Sequence, residues 1–136
     1  MMQAEDRALA VTCAARLHGQ LQLAWWALAV TLLAGAALLL GHAGRVWWCA
    51  AVVAGLAERY IALRLRLDAE LFLWLARPDT GLAQLDAALA AQGMGRKAGR
   101  SLAERVRGTQ VWVRRHVVIC IAQFALAACA FSVAGG

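Results

Sequence analysis

One carboxylate in this sequence stands where a carboxylate is hard to accommodate. Glu58 lies in an apolar run that follows Arg45 and continues to Leu63. The residues between Arg45 and Glu58 span only about 18 Å of helix, too little for the ~30 Å hydrocarbon core of a bilayer. A membrane-crossing helix must therefore continue through Glu58-Arg59-Tyr60, with Arg64 snorkelling to the far edge. An ionisable side chain at that depth is a functional-site candidate by default. Thr31 stands about eight residues above Leu23, Glu58 about six above Arg64 and Gln123 about eight above Arg115, which puts all three within one helical turn of the same depth. The spacing predicts an intramembrane polar cluster of Glu58, Gln123 and Thr31. Gln123 is the expected partner of Glu58, and Thr31 the next. Such a cluster can join three helices at about 0.6 kcal/mol per interhelical bond, carry protons or ions, or pair with a partner subunit.

Other chemistry is weaker. His18 and His116 fall near one membrane edge and His42 in a turn at the other. Two histidines at one depth can ligate a haem, but nothing else supports it. The cysteines are Cys13, Cys49, Cys120 and Cys129; there is no C-x-x-C, and none reads as standing at metal-ligand spacing from a histidine. They are expected to be small apolar packing residues, with a Cys49–Cys129 disulfide as the alternative. Arg96, Lys97, Arg100, Arg105 and Arg107 form a basic cluster. Its place between membrane helices points to anionic lipid headgroups or an acidic protein partner rather than nucleic acid. G-x-S-x-G, H-E-x-x-H, P-loop and Rossmann patterns are absent, so no enzyme activity, metal or cofactor is predicted.

The elements that must position these residues are helices in a membrane. The chain has 136 residues, and its hydrophobic fraction of 62% is more than a soluble domain of that size can bury. From Leu23 to Leu40 there is neither charge nor proline, a stretch of about 27 Å as a helix. The N-terminus carries Glu5 and Asp6 against Arg7 and the run is long, which fits a retained span better than a signal peptide. Ahead of it, residues 1–20 read as a cytoplasmic lead-in helix with Ala8, Val11, Ala15 and Leu17 on an interface. Residues 21–65 read as a transmembrane hairpin with spans 22–41 and 45–65, turning at Gly41-His42-Ala43-Gly44. The tryptophan pairs Trp25-Trp26 and Trp47-Trp48 suit the two headgroup boundaries. Residues 66–114 read as a cytoplasmic helical module, and residues 115–136 as the third span with a short periplasmic end.

Leu63-Arg64-Leu65-Arg66-Leu67-Asp68 alternates like a strand, but no second alternating run exists to pair with it. On a helix it gives Arg64–Asp68 and Arg66–Glu70 pairs and a stripe of Leu63, Leu67, Leu71 and Trp74. Pro78 ends that helix, Asp79 or Thr80 can cap the next, and Leu82, Leu85, Ala88 and Leu89 repeat at helical spacing. Ser101-Leu102-Ala103-Glu104 is a capping box opening the last helix.

The expected fold class is therefore all-α, an integral membrane protein with three transmembrane helices. Of the 14 basic residues, all but Arg7, Arg16 and Arg45 fall between residues 57 and 116. The positive-inside rule places that segment and the N-terminus in the cytoplasm and the C-terminus in the periplasm. An Ala-, Leu- and Arg-rich composition points to a bacterial inner membrane. The expected function is that of a non-enzymatic accessory or scaffold subunit, or a self-assembling module, because the apolar face of residues 63–89 needs a cover. Partners are other membrane subunits, a second copy and lipid. The alternatives are a transport or channel component using Glu58 and a redox or haem-associated subunit.

Overall fold

The computed structural model describes residues 4–77, 79–91, 93 and 99–135. The fold is all-α. Four helices follow one another: α1 (Ala4–Leu39), α2 (Arg45–Leu75), α3 (Leu82–Ala91) and α4 (Leu102–Ala134). Three of them, α1, α2 and α4, are long and apolar enough to cross a membrane. None breaks at the edge of its apolar stretch. The lead-in segment is simply the first half of α1, and α4 runs without interruption from its polar start into its apolar end.

What holds the bundle is a seam rather than a broad apolar face. Along α2 the buried positions Trp48, Ala51, Gly55, Glu58, Ala62, Leu65, Ala69 and Phe72 step by three and four residues alternately. On α4 the buried Leu102, Thr109, His116, Cys120, Gln123, Ala127 and Ala130, with half-buried Val106 and Val113 between them, keep the same rhythm. A 3.5-residue repeat held this long makes straight helices wind around each other with a left-handed supercoil. α1 contributes alanines to the seam at 10, 14, 24, 27 and 34, which let its backbone come close. α2 is the middle element, with its largest interface to α1 and the next to α4.

The seam has two apolar ends. One gathers Leu17, Leu65, Phe72, Leu75, Leu85 and Leu102. The other gathers Ala34, Trp48, Ala51, Ala127 and Ala130. The polar residues of the seam lie between them.

The hairpin turn follows from two glycines. Gly41 at φ +75° receives the end of α1 in a Schellman arrangement, His42 N–H donating to Ala37 O at 3.1 Å and Gly41 N–H to Leu38 O at 3.2 Å. Gly44 at φ +79° then starts α2 against the backbone of Ala130.

Several local expectations need correction. Trp48 is turned into the bundle and not toward lipid: it is buried, edge-on to Phe131 with ring centroids 4.8 Å apart, and its indole N–H donates to Ala43 O. Trp25, Trp26 and Trp47 remain exposed. In the lead-in segment Ala10, Ala14 and Leu17 are buried, whereas Ala8, Val11 and Ala15 are exposed. Thr80 closes α2 instead of opening α3: its hydroxyl donates to Trp74 O at 2.6 Å, and Gly81 O accepts the first α3 amides. On α2, Leu65, Ala69, Phe72 and Leu75 face inward; Leu63 and Leu67 face outward, and Leu71 and Trp74 are half-buried. The stripe therefore divides, Leu71 and Trp74 packing against the core while Leu63 and Leu67 turn away, because α2 carries leucines on opposite sides and only tertiary contact tells them apart. Arg64 lies over the Trp112 ring at 4.5 Å, joined there by Arg115 at 4.9 Å, and Asp68 accepts from the Thr109 hydroxyl at 3.1 Å.

Candidate functional site

The polar middle of the bundle is built in two adjacent layers. The first is centred on Gly55. Because this residue has no side chain, α1 and α4 reach across α2 and touch there: Gln123 Nε2 donates to Thr31 Oγ1 at 2.7 Å and to Ala27 O at 2.9 Å. Thr31 in turn donates its hydroxyl to Ala27 O at 2.8 Å. A Cβ on Gly55 would collide with Thr31 Oγ1 and stand 2.8 Å from Gln123 Nε2.

The second layer begins at Glu58, one turn further along α2, and its side chain is 0% exposed. Its carboxylate does not meet Gln123. His116 Nε2–H donates to Oε1 at 2.8 Å, and the Arg59 guanidinium donates to Oε2 at 2.6 Å. Arg59 also reaches Ala24 O on α1, so one ion pair ties all three long helices. Cys120 Sγ lies 3.8 Å from His116 Nε2, and both residues are buried. The Glu58, His116 and Cys120 ligand atoms all lie within 4.8 Å of one another.

Counting helix residues from charged edges placed Glu58, Gln123 and Thr31 in one layer. The structure joins Gln123 and Thr31 and gives Glu58 a different partner. The one-turn spacing expected among the three residues holds, and within it the fully buried His116, not Gln123, meets the carboxylate. His116-x-x-x-Cys120 has a spacing of four, which puts both side chains on one helix face. That spacing was the signal in the sequence. It became meaningful only when α2 supplied a carboxylate.

The remaining candidates separate. His18 is exposed and turns Nδ1 to Ala14 O at 3.0 Å, whereas His116 is enclosed. Cys49 and Cys129 are free thiols, both exposed. Arg105 leaves the basic cluster: it pairs with Asp86 of α3 at 2.6 Å and donates to Arg100 O, which fastens α3 to α4. Arg100 and Arg107 are exposed, and Arg96 and Lys97 lie outside the described residues. A groove of about 560 Å³ between α1 and α2 is lined by His18, Trp25, Leu28, Arg59, Leu63 and Arg66 among others. It opens beside Arg59, whose side chain is 31% exposed.

No protein-family model, no curated protein and no solved structure matches this chain. Function must therefore be argued from geometry alone.

Proposed function

We propose that this is a small non-enzymatic protein of the bacterial inner membrane that works by helix–helix assembly, as a self-assembling module or accessory subunit. One observation carries the reading. α2 has a second seam, on the side away from the bundle: Val53, Leu56, Tyr60, Leu63 and Leu67 repeat at the same alternation of three and four. Leu63 is 59% and Leu67 62% exposed. Lipid can cover this stripe at hydrocarbon depth. It cannot cover Leu67, which stands between Arg66 and Asp68 at the charged edge. The apolar face of α2 turned toward α3 is largely covered within the chain, so the need for a partner comes down to this outer stripe.

The occupant best fitted to it is a second copy. The same stripe from two parallel molecules is self-complementary about a two-fold axis along the membrane normal, with knobs-into-holes spacing on both sides. In this reading the N-terminus is cytoplasmic and the C-terminus periplasmic, with Arg100 and Arg107 near anionic headgroups. His18, Arg59 and Arg66 in the α1–α2 groove serve the same lipids. The test is cysteine crosslinking at position 67 in native membranes, with Cys13, Cys49 and Cys129 replaced by serine, alongside native mass spectrometry in mild detergent. A crosslinked dimer and a dimeric mass are expected; a monomer by both methods would sink the proposal.

A second reading, proton or ion movement through Glu58, draws on the buried carboxylate–imidazole contact. Reconstituted vesicles should then show a flux that Glu58→Gln removes. Vesicles without flux above empty ones end that reading.

A further inference from the structure

The second layer, at Glu58, has a composition that membrane packing alone does not call for. A carboxylate oxygen, an imidazole nitrogen and a thiol sulfur meet inside 4.8 Å with all three residues buried. We propose that Glu58 Oε1, His116 Nε2 and Cys120 Sγ form a binding site for a transition-metal dication of the zinc class.

Distances support it first. A tetrahedral ion with bonds of about 2.0–2.3 Å holds its ligand atoms about 3.3–3.8 Å apart. Here His116 Nε2 stands 2.8 Å from Glu58 Oε1 and 3.8 Å from Cys120 Sγ. Closing the set needs rotamer adjustment and no backbone movement, since two ligands share one face of α4 and the third faces them from α2. The outer contacts support it as well. Arg59 holds Glu58 through Oε2, which fixes the carboxylate and leaves Oε1 directed at the site. His116 Nδ1 is buried without a hydrogen-bond partner among the described residues, so it is free to take up the ring proton.

These contacts allow the protons to balance. On binding, the imidazole hydrogen moves from Nε2 to Nδ1, and the ring stays neutral. Nε2 then offers its lone pair to the ion. The Cys120 thiol releases its proton to solvent and ligates as thiolate. The carboxylate, the thiolate, the dication and Arg59 together leave one net positive charge, and Arg59, the partly exposed member, carries it toward the groove. Mixed sulfur, nitrogen and oxygen donors favour zinc-class ions over magnesium or calcium, which take oxygen sets. Three protein ligands leave a fourth position for water.

The experiment uses Co²⁺ as a visible reporter on the full-length protein in detergent. One equivalent of Co²⁺ should give a thiolate-to-metal charge-transfer band with tetrahedral ligand-field bands, and one equivalent of Zn²⁺ should bleach both. Cys120→Ser should abolish the charge-transfer band, and His116→Gln should weaken affinity at least tenfold, with helicity retained by circular dichroism. Elemental analysis of protein from zinc-supplemented cells should find about one zinc per chain. No band and no bound metal would overturn the proposal, and so would a band that persists in Cys120→Ser. Protein refolded with metal present covers the case in which the closed bundle admits ions slowly. The oligomeric state is measured on the same samples, so loss of assembly and loss of metal are read separately.

Discussion

Gly55 is the residue at which three helices touch, and its missing side chain is what permits the Gln123–Thr31 bond. Gly55→Ala should destabilise the bundle by about 1–3 kcal/mol, the usual effect of overpacking a filled interior. Thr31→Ala removes two of the three atoms the new methyl would strike, and the third, Gln123 Nε2, ends a flexible side chain. The double variant should therefore be more stable than Gly55→Ala alone, measured by unfolding in mixed detergent micelles; a double variant with simply additive losses would show that the contact is not the cause. Glu58 gives the second test at this scale. Glu58→Gln keeps an acceptor for His116 but removes the counter-charge of Arg59, so it should cost less than Glu58→Leu without being neutral. Glu58→Leu leaves Arg59 without its counter-charge and His116 without its acceptor, a loss of about 3–5 kcal/mol by analogy with other broken buried pairs. Equal effects from both substitutions would mean that the hydrogen bonds of the carboxylate are unimportant to folding.

At the scale of the element, α4 shows how a local signal fixes one end of a helix. Ser101 Oγ accepts from Glu104 N–H at 3.3 Å, and Ser101 N–H donates to Glu104 Oε2 at 2.8 Å. The hydrogen bond from the Ser101 backbone, then that from its hydroxyl, holds the Glu104 carboxyl below its ordinary value of 4.5. A lowered folded-state value means that the cap contributes fully above the ordinary carboxyl range. Its contribution is lost as pH falls through the lowered value. Backbone chemical shifts of residues 102–105 should therefore report a helix start that frays on acidification. In Ser101→Ala they should report fraying already at neutral pH, with a stability loss of about 0.5–2 kcal/mol. Unchanged shifts in the variant would show that the first turn is held by Arg105–Asp86 instead.

For the molecule as a whole, orientation and assembly are the properties to measure. A reporter fused after Gly136 should read as periplasmic, and a cysteine at exposed Arg100 should label only from the cytoplasmic side. Labelling of Arg100→Cys from the outside would overturn the orientation and put Arg100 and Arg107 at the periplasmic face. Trp48 anchors the end of the bundle opposite the α3 module, against Phe131. Trp48→Ala should cost about 3–5 kcal/mol and loosen the hairpin, as for other buried aromatics.

Three long helices, their turns and the capping box were legible in the sequence because each rests on local chemistry. Apolar length, glycine pairs, and a serine three residues before a glutamate act on the chain within a few turns. Which side of each helix faces inward was less legible. α2 carries apolar residues at helical spacing on two sides, so the sequence offered Leu63 and Leu67 as readily as Leu65 and Phe72. The partner of Glu58 was out of reach for a related reason. Depth counted along separate helices is good to about a turn, and Cys120 and His116 stand about one and two turns from Gln123 on the same face of α4. Only side chains meeting across helices set the register to a single residue. The sequence by itself determined an all-α chain with three spans and one ionisable residue in a costly place. The tertiary structure decided that this residue meets an imidazole and a thiol, because those groups come from helices whose relative register no local rule encodes.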